Sequence, residues 1–590
     1  MHPSLERISA WVSSLGAAAT LADLDGDGLA NDLVLVDPRT DRVTVSPAPG
    51  TPRRFEPFEL DTAPWAGASY DPATLAPTGT LAGDFNEDGV SDLLVYFWGR
   101  TPLLYLRKSA DGGPAGAPPA GGGRLAADSF ATRELVDSGE RWYSNCALQA
   151  DLDGDGHVDL LIGAYFREGA RILDPRAEGT EVMHEGKSRA LNGGRKHFFL
   201  WREATGGAEP LARYQEIDDV LEDGVSRGWT LAMGAADLDG DLLPELYLAN
   251  DFGPDRLLHN RSTPGTLRFA VLEGRRDFTT PKSCVLGRDS FKGMGVDFGD
   301  VNGDGLLDIY VSNIATRFAL TESHFLWMST GHPEEMKAGI APYVNRSEAL
   351  GLSRSGFAWD ARLADFDNDG TFEAMQACGF IRGTINRWPE LQALGTSNDR
   401  IVHDPRLWPT FRPGADLSGH DPNSFFARAA DGRFHDIAPL LGLSEPMVSR
   451  GLAVADVDGD GRLDFVTANQ WGPSYLFRNG ALHAGEFLDL VLVRANGSPV
   501  FGAQARVDLE DGRSLVAQVD GGNGHSGHRS PELHFGLGAR GAARPLPVEL
   551  AWRDRDGSVR SAALSVLPGR RTIALTDTAS VRTTPEATGR

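Results

Sequence analysis

Cysteine is nearly absent from this chain. Three occur in 590 residues, at Cys146, Cys284 and Cys378, far apart and in no CxxC spacing. That excludes a disulfide framework and a zinc–thiolate site, and the thiols are expected to be buried and reduced. Long apolar runs are missing too: no stretch approaches the ~20 residues a membrane-spanning helix needs. Positive charge is scarce, with 57 Lys and Arg against 82 Asp and Glu and a net charge of −25. Such a balance argues against nucleic acid as a partner. The start, MHPSLERISAWVSSLG, lacks a cationic export signal, so a cytoplasmic location is the expectation. No P-loop, GxSxG, HExxH or Rossmann fingerprint occurs, and no organic cofactor is expected.

Acidic loops are what the chain has in abundance. Seven copies place oxygens at loop positions 1, 3, 5 and 9, with Gly at position 6 for the sharp turn, and this spacing suits one hard divalent cation per loop. The first copy offers Asp23, Asp25, Asp27 and Asp32, with Asn31 making it one residue longer. The second offers Asp84, Asn86, Asp88 and Asp92; the third offers Asp151, Asp153, Asp155 and Asp159. In the fourth, Asp237, Asp239, Asp241 and Glu245 flank Leu242, which stands where Gly is expected. Asp300, Asn302, Asp304 and Asp308 form the fifth; Asp365, Asp367, Asp369 and Glu373 the sixth; Asp456, Asp458, Asp460 and Asp464 the seventh. Up to seven structural calcium ions are expected. An EF-hand is excluded, because position 12 is apolar (Ile162 in the third copy, Val311 in the fifth) where a bidentate Glu would stand.

Small and apolar residues precede each loop, and a strand-like run such as DLLIGAY or ELYLAN follows it. Each unit therefore reads as a hairpin with a cation in its turn, and the spacing leaves room for four strands plus an insertion. Radial repetition of such units predicts an all-β, seven-bladed propeller. The DxDxDGxxD loop followed by an apolar strand resembles the FG-GAP/VCBS repeat of integrin-α-type propellers. LYLANDFGPDRLLHN and FVTANQWGPSYLFRN are similar to repeats of the cartilage-acidic-protein-like (CRTAC) group. Residues 1–485 are assigned to the propeller, with 109–124 (SADGGPAGAPPAGGGR) as a flexible insertion and short helical insertions at 331–341 and 387–395. Residues 486–577 form a small all-β domain, and 578–590 a disordered tail. NGSPVFGAQARVDLEDGR, GGNGHSGHRSPELHFGLG and VELAWRDRDGS resemble the ASPIC/UnbV domain. His525 and His528 replace an aromatic and a Gln common in that family. Their loop is either a polar turn or a ligand-contacting loop facing the propeller.

In propellers resembling integrin-α the cation turns share one face, so the opposite face is the candidate for chemistry. Candidate catalytic residues there are Tyr143, Arg167, Arg227, Asp251, Asp360 and Arg450, with Asp as base and Arg as anion stabiliser. Substrate contacts are assigned to Trp142, Asn145, Tyr165, Trp229, Lys292, Trp359, Arg382 and Trp471, together with His525 and His528. Asn250, Asn313, Arg317, Arg387 and Asn469 complete the face. A rim of Arg and Trp around a funnel suits a planar or anionic ligand. UnbV-type proteins resemble open reading frames among enediyne biosynthesis genes, and calcium-bearing propellers include the cylindrocyclophane-type alkylating enzymes. The resemblance implies a cofactor-independent enzyme making a C–C bond on an aromatic or polyketide intermediate. The alternative is a non-catalytic, calcium-dependent binding or adhesion module for a protein or glycan. A calcium scaffold without a ligand is the third reading.

Overall fold

Every one of the seven acidic loops closes a β-hairpin in the computed structural model, which describes all residues except 64–69, 110–123, 290–291, 317–321, 483, 540–543 and 583–590. The first strands of the hairpins are Ala18–Ala22, Ala76–Gly83, Tyr143–Ala150, Thr230–Ala236, Gly295–Gly299, Ala358–Ala364 and Ser449–Ala455. Each pairs antiparallel with the strand after its loop, in one register throughout. The acid that ends the loop faces the last small residue of the first strand: Ala22 opposes Asp32, Gly83 opposes Asp92, and Ala150 opposes Asp159. Ala236 opposes Glu245, Gly299 opposes Asp308, Ala364 opposes Glu373 and Ala455 opposes Asp464.

First strands touch one another in cyclic order, and the seventh touches the first. That ring explains the small residues read from the sequence. A side chain at Gly295, for instance, would run into the backbone of Trp359 and Asp360 in the next unit. Outer strands complete each sheet; the seventh unit has three among the described residues. Strands hold 41% of the residues and helices 9%, so the chain is all-β, as the repeats predicted. The helical insertions are present as a 3-10 turn at Pro333–Ala338 and a helix at Trp388–Thr396. No helix among the described residues is long and apolar enough to cross a membrane. Cys146 and Cys378 are buried and Cys284 is partly so, all three as free thiols.

The chain's N-terminus closes the ring. Gln470 of the seventh unit accepts from Ala17 N at 3.3 Å and donates to Ser13 O and Leu15 O at 2.8 Å. Residues 3–12 then fold as two short helical turns over the axis, burying Leu5, Ile8 and Val12.

From Glu486 the chain builds two four-stranded sheets packed on their own core, which includes Leu490, Val507, Phe535, Trp552 and Ile573. Ala579–Val581 is a strand paired with Gly569–Leu575, so ordered chain runs past the expected boundary at 577. The remainder of the expected tail from 583, nearly all of the 109–124 insertion, and Arg317 lie outside the described residues.

Candidate cation loops and the axial site

Each loop is wound around its own carboxylates. Position 1 accepts backbone N–H groups from positions 4 to 6: in the third loop, Asp151 takes Gly154 N at 2.7 Å and Gly156 N at 2.9 Å. Position 5 accepts from position 7, as Asp155 does from His157 N at 2.9 Å. The acid at position 9 has a second task. Asp159 accepts from Leu152 N within the turn and from Trp201 N on the third strand, at 3.0 and 2.9 Å. Asp92, Glu245, Asp308 and Asp464 bridge turn and third strand in the same way. These acids therefore fix strand register as well as offering oxygen.

Such turns demand a left-handed residue at position 6. Six loops use Gly there, with φ from +81° to +90°, and Leu242 adopts φ +63° in the fourth. The backbone is kept at the cost of a Cβ held against its preference.

Donor sets fit a hard dication. Oxygens of Asp23, Asp25 and Asp27 lie within 4.8 Å of one another, as do those of Asp151, Asp153 and Asp159, and of Asp365, Asp367 and Glu373. Burial pushes Asp84, Asp151 and Asp308 up to about 7 and Glu373 to about 9. Burial disfavours their charged forms, which a nearby positive charge would favour. Asp239 Oδ1 and Asp458 Oδ1 are buried with no hydrogen-bond partner, although the other oxygen of Asp458 pairs with Arg478. Guanidinium groups stand in the seventh and first loops: in the seventh Arg478 pairs with Asp458 and Arg462 with Asp460, and in the first Arg54 donates to Asp25 at 2.5 Å and to Asp32, and lies 3.1 Å from Asp27. A guanidinium supplies part of that loop's positive charge. In the fourth loop His259 Nε2 stands 3.2 Å from Asp239 Oδ2.

The C-terminal domain sits directly on these loops. Ser498 Oγ donates to Asp84 at 2.5 Å, Gln504 Nε2 to Asp237 at 2.7 Å, and Arg494 Nη2 to Gly156 O at 2.9 Å. Arg513 Nη1 donates to Asp369 O at 3.1 Å and Arg570 Nη2 to Gly28 O at 2.8 Å. From this platform residues 520–530 dive into the axis. Gly527–His528 adds a parallel strand to Ala18–Ala22, and Gly524 bridges Met233. Arg362 donates to Asn523 O at 2.9 Å and to Gly527 O. The loop is a plug.

At the other end of the axis the expected open funnel is filled by protein. Trp11 packs edge-on to Phe380 at 4.7 Å and to Trp408 at 5.0 Å. Tyr143, Tyr165, Trp229 and Trp359 join the N-terminal turns in one buried cluster. A cavity of ≈ 20 Å³ remains among Trp11, Tyr165, Asp251 and Trp359, room for about one water.

Family comparisons agree with the loops and the plug-bearing domain. The FG-GAP-like repeat family matches residues 237–311, the FG-GAP repeat 450–484, and the ASPIC and UnbV family 493–582. The chain carries FG-GAP repeats and an ASPIC/UnbV domain. It is homologous to cartilage acidic protein 1: 25% identity over 277 residues to the Mus musculus protein, spanning 43% of this chain and 42% of that one. The Homo sapiens protein gives 25% over 276 residues, with 43% and 41% covered, so the match spans less than half of either relative. Among solved structures, exotype rhamnogalacturonan lyase YesX covers 91% of this chain and 80% of its own at 16% identity and a TM-score of 0.32. Rhamnogalacturonan lyase YesW has the same coverage at 15% identity and 0.32. Likenesses of that degree do not bear on the site.

With the ASPIC/UnbV loop in the axis, the candidate residues divide into three groups. One converges at the small cavity. Tyr165 OH donates to Asp251 at 2.5 Å and lies 3.0 Å from His184 Nε2, and Trp229 packs edge-on to Tyr165 at 4.9 Å. Burial raises Asp251 to about 6 and drives His184 well below its ordinary value.

The second group is bound into structure instead of lining an open rim. Tyr143 OH donates to Ala170 O at 2.6 Å, Trp142 stacks on His197 at 3.6 Å, and Asn145 accepts from Trp98 Nε1 at 2.7 Å. Arg450 is wholly buried, donating to Ser14 O, Gly379 O, Ser449 O and Phe380 O and lying 4.2 Å over Trp359. Asp360 accepts from Leu452 N at 2.9 Å and His525 N at 3.2 Å and pairs with Arg362 at 3.3 Å. His525 reaches Leu231 O at 2.9 Å, and His528 is buried on the plug strand. The third group lies apart. Arg167, Arg382 and Trp471 are exposed, Lys292 pairs with Glu322, and Arg227 pairs with Glu168 and Asp223. Sequence reading missed His184, Arg362 and Trp11: His184 and Trp11 lie outside the repeats, and Arg362, though in the strand before the sixth loop, carried no mark of its contacts with the plug.

Proposed function

We propose that this chain is a calcium-clamped interaction module, in which cation loops and the ASPIC/UnbV domain form one mutually dependent unit. One observation carries the reading: the C-terminal domain bonds to the loops themselves and sends its plug down the ring axis. Calcium in the loops would hold the turns where unpaired carboxylates repel, and so hold the docking platform. With the axis occupied from both ends, recognition of a protein or glycan falls to the exposed outer surface, where Arg167, Arg382 and Trp471 lie. Removing calcium should free the plug before the hairpins unfold. Limited proteolysis with and without chelator tests this: cleavage within 520–530 is expected in chelator alone. Equal protection in both conditions would reject the clamp.

A second reading is supported by the Tyr165–Asp251–His184 contact, two of whose members are candidate catalytic or substrate residues. Under it the chain is a cofactor-independent enzyme forming a C–C bond on an aromatic or polyketide intermediate, of the enediyne-cluster type, with Asp251 as base. It requires residues 1–15 to swing away, since a ≈ 20 Å³ cavity admits no such substrate. Hydrogen exchange at Trp11 that stays at core levels in the presence of aromatic metabolites would count against it.

A further inference from the structure

Six of the seven units carry a fourth strand. The sheet of the seventh ends at its third, Tyr475–Phe477, which pairs with Asp464–Asn469 on one side and, among the described residues, with no strand on the other. Sister units show what that place holds. In the second to sixth, the fourth strand sets an aromatic residue opposite one fixed third-strand position: Phe130 faces Arg107, Tyr214 faces Trp201, Phe269 faces Asn260, Tyr343 faces Ser329 and Phe434 faces Arg428. In four of them the residue after that position donates to the carbonyl before the aromatic: Lys108 N to Ser129 O at 2.9 Å, Arg261 N to Arg268 O at 2.8 Å, Thr330 N to Pro342 O at 2.9 Å and Ala429 N to Arg433 O at 2.8 Å. In the seventh unit the fixed position is Asn479, whose N–H is held by the loop-ending Asp464 at 2.7 Å as Arg107 N is by Asp92 at 2.6 Å. The donor that follows is Gly480 N, which has no backbone partner among the described residues.

Side chains along this edge are bare to match. The third-strand residue two places before the fixed position is buried in the five sister units, as Tyr105, Phe199, Leu258, Trp327 and Phe426. Its counterpart Phe477 is only half-buried, Tyr475 is 46% exposed, and the exposed Trp471 and Leu482 flank the strand in sequence. Charge marks one end. Fourth strands of the second and fourth units place an acid four residues after the aromatic, Glu134 and Glu273, and these pair with Arg100 and Arg288. The same place here lies opposite Tyr475. Thr467, the partner of Tyr475, has Met447 Sδ at 3.9 Å, and the adjoining Pro446 O accepts from Arg382 at 3.0 Å. Arg382 is exposed and has no acid partner among the described residues.

We propose that this open edge docks an extended segment of another protein, which completes the seventh sheet as an antiparallel fourth strand. Its aromatic residue lies opposite Asn479, an acid four residues on meets Arg382, and the carbonyl before the aromatic takes Gly480 N. Main-chain ladder bonds supply affinity, and the placed side chains supply selectivity. A second copy of this chain fits poorly, since its aromatic-bearing fourth strands are already paired in their own sheets. Residues 583–590, TTPEATGR, contain no aromatic. The proposal rests on the interaction-module reading and gives it a site and a class of partner, yet it asks nothing of the plug.

Fluorescence anisotropy of the full chain in calcium, with labelled peptides DSFATRELV and LRFAVLEG copied from its own residues 128–136 and 267–274, tests this. Saturable binding of at least one peptide is expected, weakened about tenfold or more when its Phe is replaced by Ala, or in Gly480→Pro. Binding should be unchanged in Gly480→Ala, which keeps the N–H and whose Cβ meets no neighbour. Should Gly480→Pro fail to fold, amide exchange in the unaltered protein gives a second readout: the peptide should slow it across 474–480 and not along Ala18–Ala22. Binding by neither peptide, binding indifferent to the Phe or to Gly480→Pro, or protection elsewhere would each overturn the proposal. So would self-association of the chain that Gly480→Pro abolishes, which would put a second copy on the edge. None of these outcomes bears on the calcium clamp, which cleavage within 520–530 decides.

Discussion

Arg362 shows how one side chain can join distant parts of a chain. Its guanidinium donates to Ala361 O and Leu452 O in the ring and to Asn523 O and Gly527 O in the plug, and it faces Asp360. Arg362→Met would leave Asp360 buried without its counter-charge, so unfolding free energy from denaturant titration should fall by ~3–5 kcal/mol. Leu242 is the opposite case, a residue at odds with its own backbone. Leu242→Gly removes the Cβ from a left-handed position and should raise stability by ~1 kcal/mol in the same titration, the gain limited by a floppier unfolded chain. Loop positions 1, 3, 5 and 9 were legible because their side chains answer to the backbone a few residues away. The Arg, Tyr and Trp set was legible as a group but not in direction. Whether Arg450 faces solvent or four carbonyl oxygens depends on Ser14 and Phe380, which no local pattern connects to it.

Hairpins and plug are the elements on which the molecule turns. Small residues before each loop signalled inner strands correctly, since neighbouring first strands pack so closely that a Cβ on Gly295 would meet the backbone of the next unit. The plug carried no such signal. GGNGHSGHRS reads equally well as a solvated turn, because its glycines permit close approach without saying to what. A side chain at Gly527 would run into the Leu452 backbone, and one at Gly524 into the Arg362 guanidinium. Gly527→Val should therefore unseat the plug while leaving the hairpins folded. Amide hydrogen exchange should accelerate across 520–530 and along Ala18–Ala22, which loses its parallel neighbour, but not in Glu373–Cys378. Uniform acceleration over the whole chain would instead mean the plug and the ring fold as one unit.

At the scale of the whole molecule, charge and the proposed calcium are expected to set stability together. Each saturated cation site at a hundredfold excess over its dissociation constant contributes ~2.7 kcal/mol, which chelation should remove. The pH trend of the metal-free protein can be given a sign. Burial holds Asp23 at about 6 and Asp84, Asp151 and Asp308 at about 7, above the usual carboxylate value of ~4. Between those values the folded state binds more protons than the unfolded one. Stability without metal should therefore fall as pH rises from about 4 to about 7. Calcium in the loops should reverse the slope, because it would need the charged carboxylates and compete with protons. Thermal melts of dialysed and calcium-loaded protein at about pH 5 and about pH 8 should show opposite trends. Parallel trends would mean that the loops hold no ion.

Local chemistry settled the repeat, the hairpin in each loop, the donor atoms offered to a cation and the two kinds of domain. Those features depend on spacings of a few residues, and a sequence displays such spacings directly. Only the tertiary structure decided that the C-terminal domain rests on the loops, that its histidines fill the axis and that the N-terminal turns close the far end. Contacts of that kind join residues hundreds of positions apart, as Arg450 joins Ser14, and they are chosen by which buried groups find partners once the ring has formed.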